Sequence, residues 1–209
     1  MAMNIILLSG GSGKRLWPLS NEVRSKQFLK IFRKEDGTRE SMLQRMYRMI
    51  KQIDSDARIT VAASENQIPQ IRSQIGKDVG ISVEPCRRDT FPAIALAVTC
   101  LAQNGTGRNE PVVVCPVDPY VEEDYFQCLK ELSEEAGRDG AAKLTLMGIE
   151  PDHPSEKYGY IIYRKKERDT TPKAQIGWEK RGSDYCSGMF KSPRRTRKMD
   201  NTAARRESC

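Results

Sequence analysis

The chain has 209 residues, 38% of them hydrophobic and 30% charged, with a formal net charge of +7. That length bounds the protein to one domain, or one domain and a small extra, and the composition admits a globular core. The single histidine, His153, excludes a two-histidine zinc site and leaves any Ser-His-Asp or Cys-His pair only that residue to use.

In chain order, the apolar run at residues 4–8 closes on Ser9, Gly10 and Gly11, which reads as a buried strand feeding a loop. Residues 41–53 place Met42, Leu43, Met46, Ile50 and Ile53 on one helical face, a core stripe. Residues 58–62 read as a second strand and 65–76 as a helix stopped at Gly76. Residues 80–83 form a third strand. Thr90 is a candidate cap for a helix over 91–103 with Pro92 in its first turn. That helix is apolar nearly all round, so deep burial is expected. Residues 112–115 are continuously apolar, as buried parallel strands are. An amphipathic helix over 122–137 and a fifth strand over 144–147 follow. The alternation predicts a parallel, doubly wound α/β sheet flanked by helices, a Rossmann-like arrangement. Ligands in such sheets bind beyond the carboxyl ends of the strands, so the loops after the first and fourth strands are where chemistry is expected.

The six cysteines show no C-x-x-C spacing and sit mostly in apolar runs. They read as reduced, buried thiols of a cytoplasmic protein. No apolar run approaches the about 20 residues that span a bilayer, so no membrane partner is expected. The N-terminus lacks a basic region before its apolar stretch, and a signal peptide is not expected.

The charge is uneven. Residues 179–209 carry nine Lys/Arg and four Asp/Glu, a net of +5, and leave the rest of the chain at +2. After Ile176 no isoleucine, valine or leucine occurs in 33 residues. Such a segment cannot offset its ordering entropy by burial and is expected to be a disordered basic tail. A nucleic-acid contact through it is the minority alternative.

The loop after the first strand is the most informative stretch. Gly10, Gly11 and Gly13 let the backbone approach a ligand closely with its N–H groups turned inward, and Lys14 and Arg15 add positive charge. This is chemistry for a phosphate chain. The Walker A pattern fails at both ends, because Leu8 and Arg15 stand where Gly and Ser/Thr are needed. The dinucleotide fingerprint fails because Leu16 replaces its third Gly and Pro18 interrupts the chain.

Gly10-Gly11-x-Gly13-x-Arg15-Leu16-Trp17-Pro18-Leu19-Ser20, followed by Lys26-Gln27-Phe28-Leu29, resembles the signature of the sugar-1-phosphate nucleotidyltransferases, in particular the mannose-1-phosphate guanylyltransferase branch. The resemblance implies that Gly10, Gly11, Ser12, Gly13 and Lys14 cradle the nucleotide. It implies that Arg15 holds the triphosphate and Lys26 contacts a phosphate near the reacting centre. Ser25 stands where the family usually has Pro. Residues 84–94 are similar to the family's base-pocket segment, which brings in Glu84, Arg88 and Thr90; Asp89 replaces a more usual Asn. Glu84 taken alone is a suitable acceptor for guanine N1–H and N2–H₂. Asp118, at the end of the fourth strand, can be a helix cap or can hold Mg²⁺ against phosphates; the resemblance favours the metal. Residues 154–162 resemble the strand beside the sugar phosphate, which implies a role for Tyr158 and Gly159.

The implied reaction transfers GMP from GTP to mannose 1-phosphate, with Mg²⁺ as cofactor. Alternatives are another sugar 1-phosphate or a non-catalytic GTP-binding fragment. Homo-oligomerisation is compatible with the sequence. The resemblance covers residues 3–170, so a nucleotidyltransferase domain is expected over 1–170 and a basic tail over 171–209. The family's Glu-Lys-Pro and Trp-Asn-x-Gly motifs are missing after it. Residues from about 170 onward are therefore expected to be a frameshifted or otherwise aberrant end of a truncated domain.

Overall fold

The computed structural model describes residues 2–10, 19–20 and 25–148, together with the backbone of three short strands at 161–164, 173–176 and 187–189. The chain divides into two units, Met1–Thr145 and Leu146–Cys209.

The first unit is built on a four-stranded sheet. Its strands are β1 (Asn4–Leu8), β4 (Arg58–Ser64), β5 (Gly80–Glu84) and β6 (Val112–Pro116), in the order β5-β4-β1-β6. All three pairings are parallel, with Leu8 level with Ala62 on one side and with Pro116 on the other. Helices α1 (Met42–Ile53), α2 (Ile68–Ile75) and α3 (Thr90–Gln103) form the crossovers, and α4 (Glu123–Ala136) follows β6. Ile5, Ile6 and Leu7 are fully buried in succession, because both faces of the central strand are covered. Ile6 and Ala62 pack against Ala97 and Leu101 of α3, with Leu8, Val112 and Val114 around them. Strand alternation turns Ile5 and Leu7 to the opposite face, where α1 packs against both α2 and α4.

The stripe expected on α1 is buried at Met42, Leu43, Met46 and Ile50, with Met49 added, while Ile53 is half-buried. Ser41 caps this helix. Its hydroxyl accepts from the Gln44 backbone N–H at 3.2 Å, and the Gln44 side chain accepts from the Ser41 N–H at 3.1 Å. Gly76 ends α2 at φ 89°, a conformation that favours glycine.

Four expectations are corrected. Helix α3 is not buried all round: only Ala93, Ala97 and Leu101 are buried, and Phe91 is 79% exposed. Its neighbour β5 lies at the sheet edge, so one side of α3 has nothing to cover among the described residues. Its cap is Asp89, not Thr90; the Asp89 side chain accepts from the Thr90 N–H at 2.9 Å. The fifth strand forms as β7 (Thr145–Met147), but it pairs with β10 (Ser187–Met189) and not with the parallel sheet. Among the described cysteines, Cys115 is buried and Cys100 and Cys128 are half-buried, but Cys86 is exposed; none of the four is in a disulfide.

A short antiparallel hairpin, β2 (Phe32–Arg33) with β3 (Arg39–Glu40), precedes α1. Asp36 closes its turn by accepting from the Thr38 hydroxyl at 2.6 Å and the Thr38 N–H at 2.8 Å, bonds that lower the Asp36 pKa. In the second unit, β8 (Ile161–Arg164) and β9 (Lys173–Ile176) form an antiparallel pair.

Candidate active site at the strand ends

Strand β1 has β4 on one side and β6 on the other: the chain runs outward from β1 to β4 to β5 and then returns across the sheet to β6. That reversal opens a crevice at the carboxyl ends of β1 and β6, the place where doubly wound sheets bind ligands. The ladder runs one step past the strands: Ser9 donates its N–H to Ala62 O at 3.0 Å, and Val117 donates to Leu8 O at 3.2 Å. Exposed Gly10 and half-exposed Asp118 follow directly.

A 3-10 turn, Lys26–Phe28, brings a cation to the same place. Lys26 Nζ lies 2.5 Å from Asp118 Oδ2, with the two side chains 42% and 51% exposed. An ion pair this exposed adds at most about 1 kcal/mol of stability. Its meaning is chemical, because it places one positive and one negative group at the mouth of the crevice.

Beneath the pair lies a buried polar network. The Gln27 amide donates to Ser9 O at 2.9 Å and to Ser9 Oγ at 3.0 Å. The Gln67 amide donates to Ser9 O at 3.4 Å and to Ser25 Oγ at 3.2 Å, while its oxygen accepts from the Ser64 N–H at 3.2 Å. Ser9, Ser25, Gln27 and Gln67 are each at most 2% exposed. The two glutamines therefore tie the end of β1, the end of β4 and the turn carrying Lys26 into one unit. Ser25 has φ −67° and ψ 152°, within the range proline imposes, so the serine preserves the backbone and adds an acceptor for Gln67. Gln67→Met is expected to cost about 1–3 kcal/mol, since it leaves buried partners unsatisfied. Urea unfolding measures this, and an unchanged midpoint would contradict the role assigned to the amide.

The loop after β6 is held from its far side as well. Arg45 on α1 donates from Nη2 to Val121 O at 2.8 Å, and its guanidinium carbon stands 4.7 Å from the centre of the Tyr120 ring. Phe32 stacks on the same ring at 5.6 Å. Burial pushes the Cys115 thiol up to about 12, so the nearest cysteine is inert as a nucleophile.

A second opening, a cleft of about 580 Å³, lies at the carboxyl ends of β4 and β5 and is lined by Ser64, Asn66, Glu84, Cys86 and Arg87 among others. Glu84 is thus brought to a cavity. Arg88 and Thr90 are exposed beside it and are not part of its lining. Between them Asp89 has φ 74° and ψ −171°, a region that residues other than glycine occupy at a cost of about 1–3 kcal/mol. Gly11, Ser12, Gly13, Lys14 and Arg15, and Tyr158, Gly159 and His153, lie outside the described residues.

Gln67 and Arg45 were missed by sequence reasoning, while Gln27 and Asp89 stood in the matched motifs with no role assigned. Gln67 had a usable signal, because Ser64-x-x-Gln67 matches a capping box and that box is formed. Nothing local marks Arg45, whose carbonyl partner lies 76 residues away.

Among the described residues no group of three or more His, Cys, Asp or Glu converges on a metal position. Asp118 nonetheless fits Mg²⁺, which commonly takes one or two carboxylates and fills its remaining positions with water and phosphate oxygens. The Lys26 ammonium already stands as a cation against that carboxylate.

A parallel sheet whose strand order reverses between β1 and β6 is a doubly wound α/β domain, the architecture in which ligands bind beyond the carboxyl ends of the strands. The model of the nucleotidyl transferase family matches residues 4–172, and the chain belongs to that family. It is 38% identical over 201 residues to the xanthan biosynthesis protein XanB of Xanthomonas campestris pv. campestris (strain B100), covering 88% of this chain and 41% of that protein. It is 32% identical over 160 residues to the mannose-1-phosphate guanylyltransferase RfbM of Salmonella typhimurium, covering 75% of this chain and 32% of that protein. Among solved structures, one described as a mannose-1-phosphate geranyltransferase from Thermus thermophilus superposes with a TM-score of 0.67 at 28% identity, covering 83% of this chain and 48% of that one. The chain thus spans a third to two fifths of the length of these two curated relatives. No helix among the described residues is long and apolar enough to cross a membrane.

Proposed function

We propose that the chain carries the nucleotide side of a sugar-1-phosphate nucleotidyltransferase that transfers GMP from GTP to α-D-mannose 1-phosphate, giving GDP-mannose and pyrophosphate. The observation that supports this best is the Lys26–Asp118 pair at the switch point of the sheet. The relatives named for mannose-1-phosphate guanylyl transfer support the choice of substrates.

A phosphate oxygen of the sugar attacks the α-phosphorus of GTP. The bond to the β-phosphate breaks, and pyrophosphate leaves with the electron pair. The nucleophile needs no general base, because the second pKa of a phosphate monoester is near ~6. The single histidine of the chain agrees with that requirement. The task left to the protein is to align two anions and neutralise them. Lys26 supplies a point charge for a phosphate, and the Gly10 backbone gives it close approach. On the family resemblance Ser12, Lys14 and Arg15 extend the same cradle, and Tyr158 and Gly159 meet the sugar phosphate. Glu84 accepts from guanine N1–H and N2–H₂, which disfavours adenine. Asp118 holds Mg²⁺, which when bound draws charge from the reacting phosphate.

Pyrophosphate release is measured with GTP, mannose 1-phosphate and Mg²⁺, beside ATP and glucose 1-phosphate. The expected result is at least about tenfold preference for the first pair, of the size one well-made hydrogen-bond set gives. Preference for another sugar phosphate would change the substrate and keep the reaction. Binding of GTP without pyrophosphate release would overturn the transferase reading and leave a nucleotide-binding module.

A further inference from the structure

We infer that Arg45 is a positioning residue: it fixes the loop that carries Asp118 and so sets how strongly a divalent cation and a nucleoside triphosphate reinforce each other's binding. This rests on the proposed role of Asp118 as the cation's carboxylate.

The stretch 117–122 between β6 and α4 has no regular secondary structure. Its first residue is tied to β1 through the Val117 N–H. Pro119 has no N–H to contribute. Asp118 is held from the crevice side by Lys26. A phosphate competes for that ammonium, so this restraint weakens when ligand arrives. Arg45 acts on the loop from helix α1, through residues 120 and 121 and not through Asp118 itself. It fixes the loop twice, through Val121 O at 2.8 Å and through the Tyr120 ring at 4.7 Å. Tyr120 is 65% exposed, so burial does not hold it; Arg45 and the stacked Phe32 do. No carboxylate pairs with Arg45 among the described salt bridges, which leaves its charge for the ring and the carbonyl. The platform is rigid, since Leu43, Met46 and Ile50 of the same helix are fully buried.

Metal affinity is steep in carboxylate placement, and removing a group that orients a metal ligand costs about 10–100-fold. The experiment measures the dissociation constant of a fluorescent GTP analogue with the full chain, with and without Mn²⁺, and takes the ratio. Asp118→Asn is expected to bring the ratio close to one. Arg45→Met is expected to lower it about tenfold while leaving metal-free affinity and the melting temperature near wild type. Arg45→Lys keeps a cation over the ring and a donor for the carbonyl, and is expected to stay within about threefold of wild type. A wild-type ratio in Arg45→Met, with Asp118→Asn collapsed, would overturn the positioning role and leave the Asp118 assignment standing. Loss of metal-free affinity and melting temperature together in Arg45→Met would also overturn it, by showing a role in folding alone. A wild-type ratio in Asp118→Asn would overturn both.

Discussion

Alanine in place of Asp118 is expected to lower metal-dependent pyrophosphate release by about a thousandfold, the scale set by removing one charge-stabilising group from a preorganised site. Stability should change by no more than about 1 kcal/mol, because the bond of this carboxylate to Lys26 is an exposed one. The large kinetic effect and the small stability effect together separate a metal carboxylate from a helix cap. Helix α4 supports the first reading, since its cap is Glu122 and Asp118 lies four residues earlier. A Mg²⁺ titration of turnover, beside a urea melt of the same variant, makes the comparison. Turnover equal to wild type would remove Asp118 from the proposed mechanism.

The second large effect lies in the core. Ile6→Ala is expected to cost about 2–5 kcal/mol. Ile6 is fully buried on the central strand and packs against Ala62, Ala97 and Leu101. Ala62 and Ala97 are too small to move into the space. Domains of this kind are stable by only about 5–15 kcal/mol, so the loss is a large fraction of the whole. The urea midpoint should fall with the slope unchanged. Phe91→Ser on the exposed side of α3 is the matched control and should stay within about 0.5 kcal/mol. Equal shifts in the two variants would mean that Phe91 is covered in solution.

The parallel sheet was legible because β1 and β4 are covered on both faces, and continuous apolar runs are the signature of that burial. Helix α1 was legible because its one buried stripe keeps a 3.6-residue period. Helix α3 misled for the opposite reason. Its alanines permit burial on any side, but the sheet offers only one face, so Phe91 is left outside. The β2–β3 hairpin has two residues in each strand, too few for a period to show. Strand β7 is apparent from its own residues, but its partner at 187–189 lies far along the chain, and pairing at that range has no local trace. At the site, motif residues such as Lys26 and Asp118 could be named from the sequence. The burial of the glutamines beneath them was not legible, because glutamine is ordinarily a surface residue and its burial depends on partners brought from β1 and β4.

The short Lys26–Asp118 contact also bears on the order in which ligands are accepted. A free cation meets a carboxylate already partnered by an ammonium, and a free triphosphate meets an ammonium already partnered by a carboxylate. Each ligand arriving alone must break the pair and leave one charge behind without a counter-ion. Arriving together, they separate the pair and satisfy both halves. The cost of separation is then shared, so the cation raises nucleotide affinity by the same factor that the nucleotide raises cation affinity. On the proposed assignment the site discriminates against either ligand by itself, and it does so with two side chains.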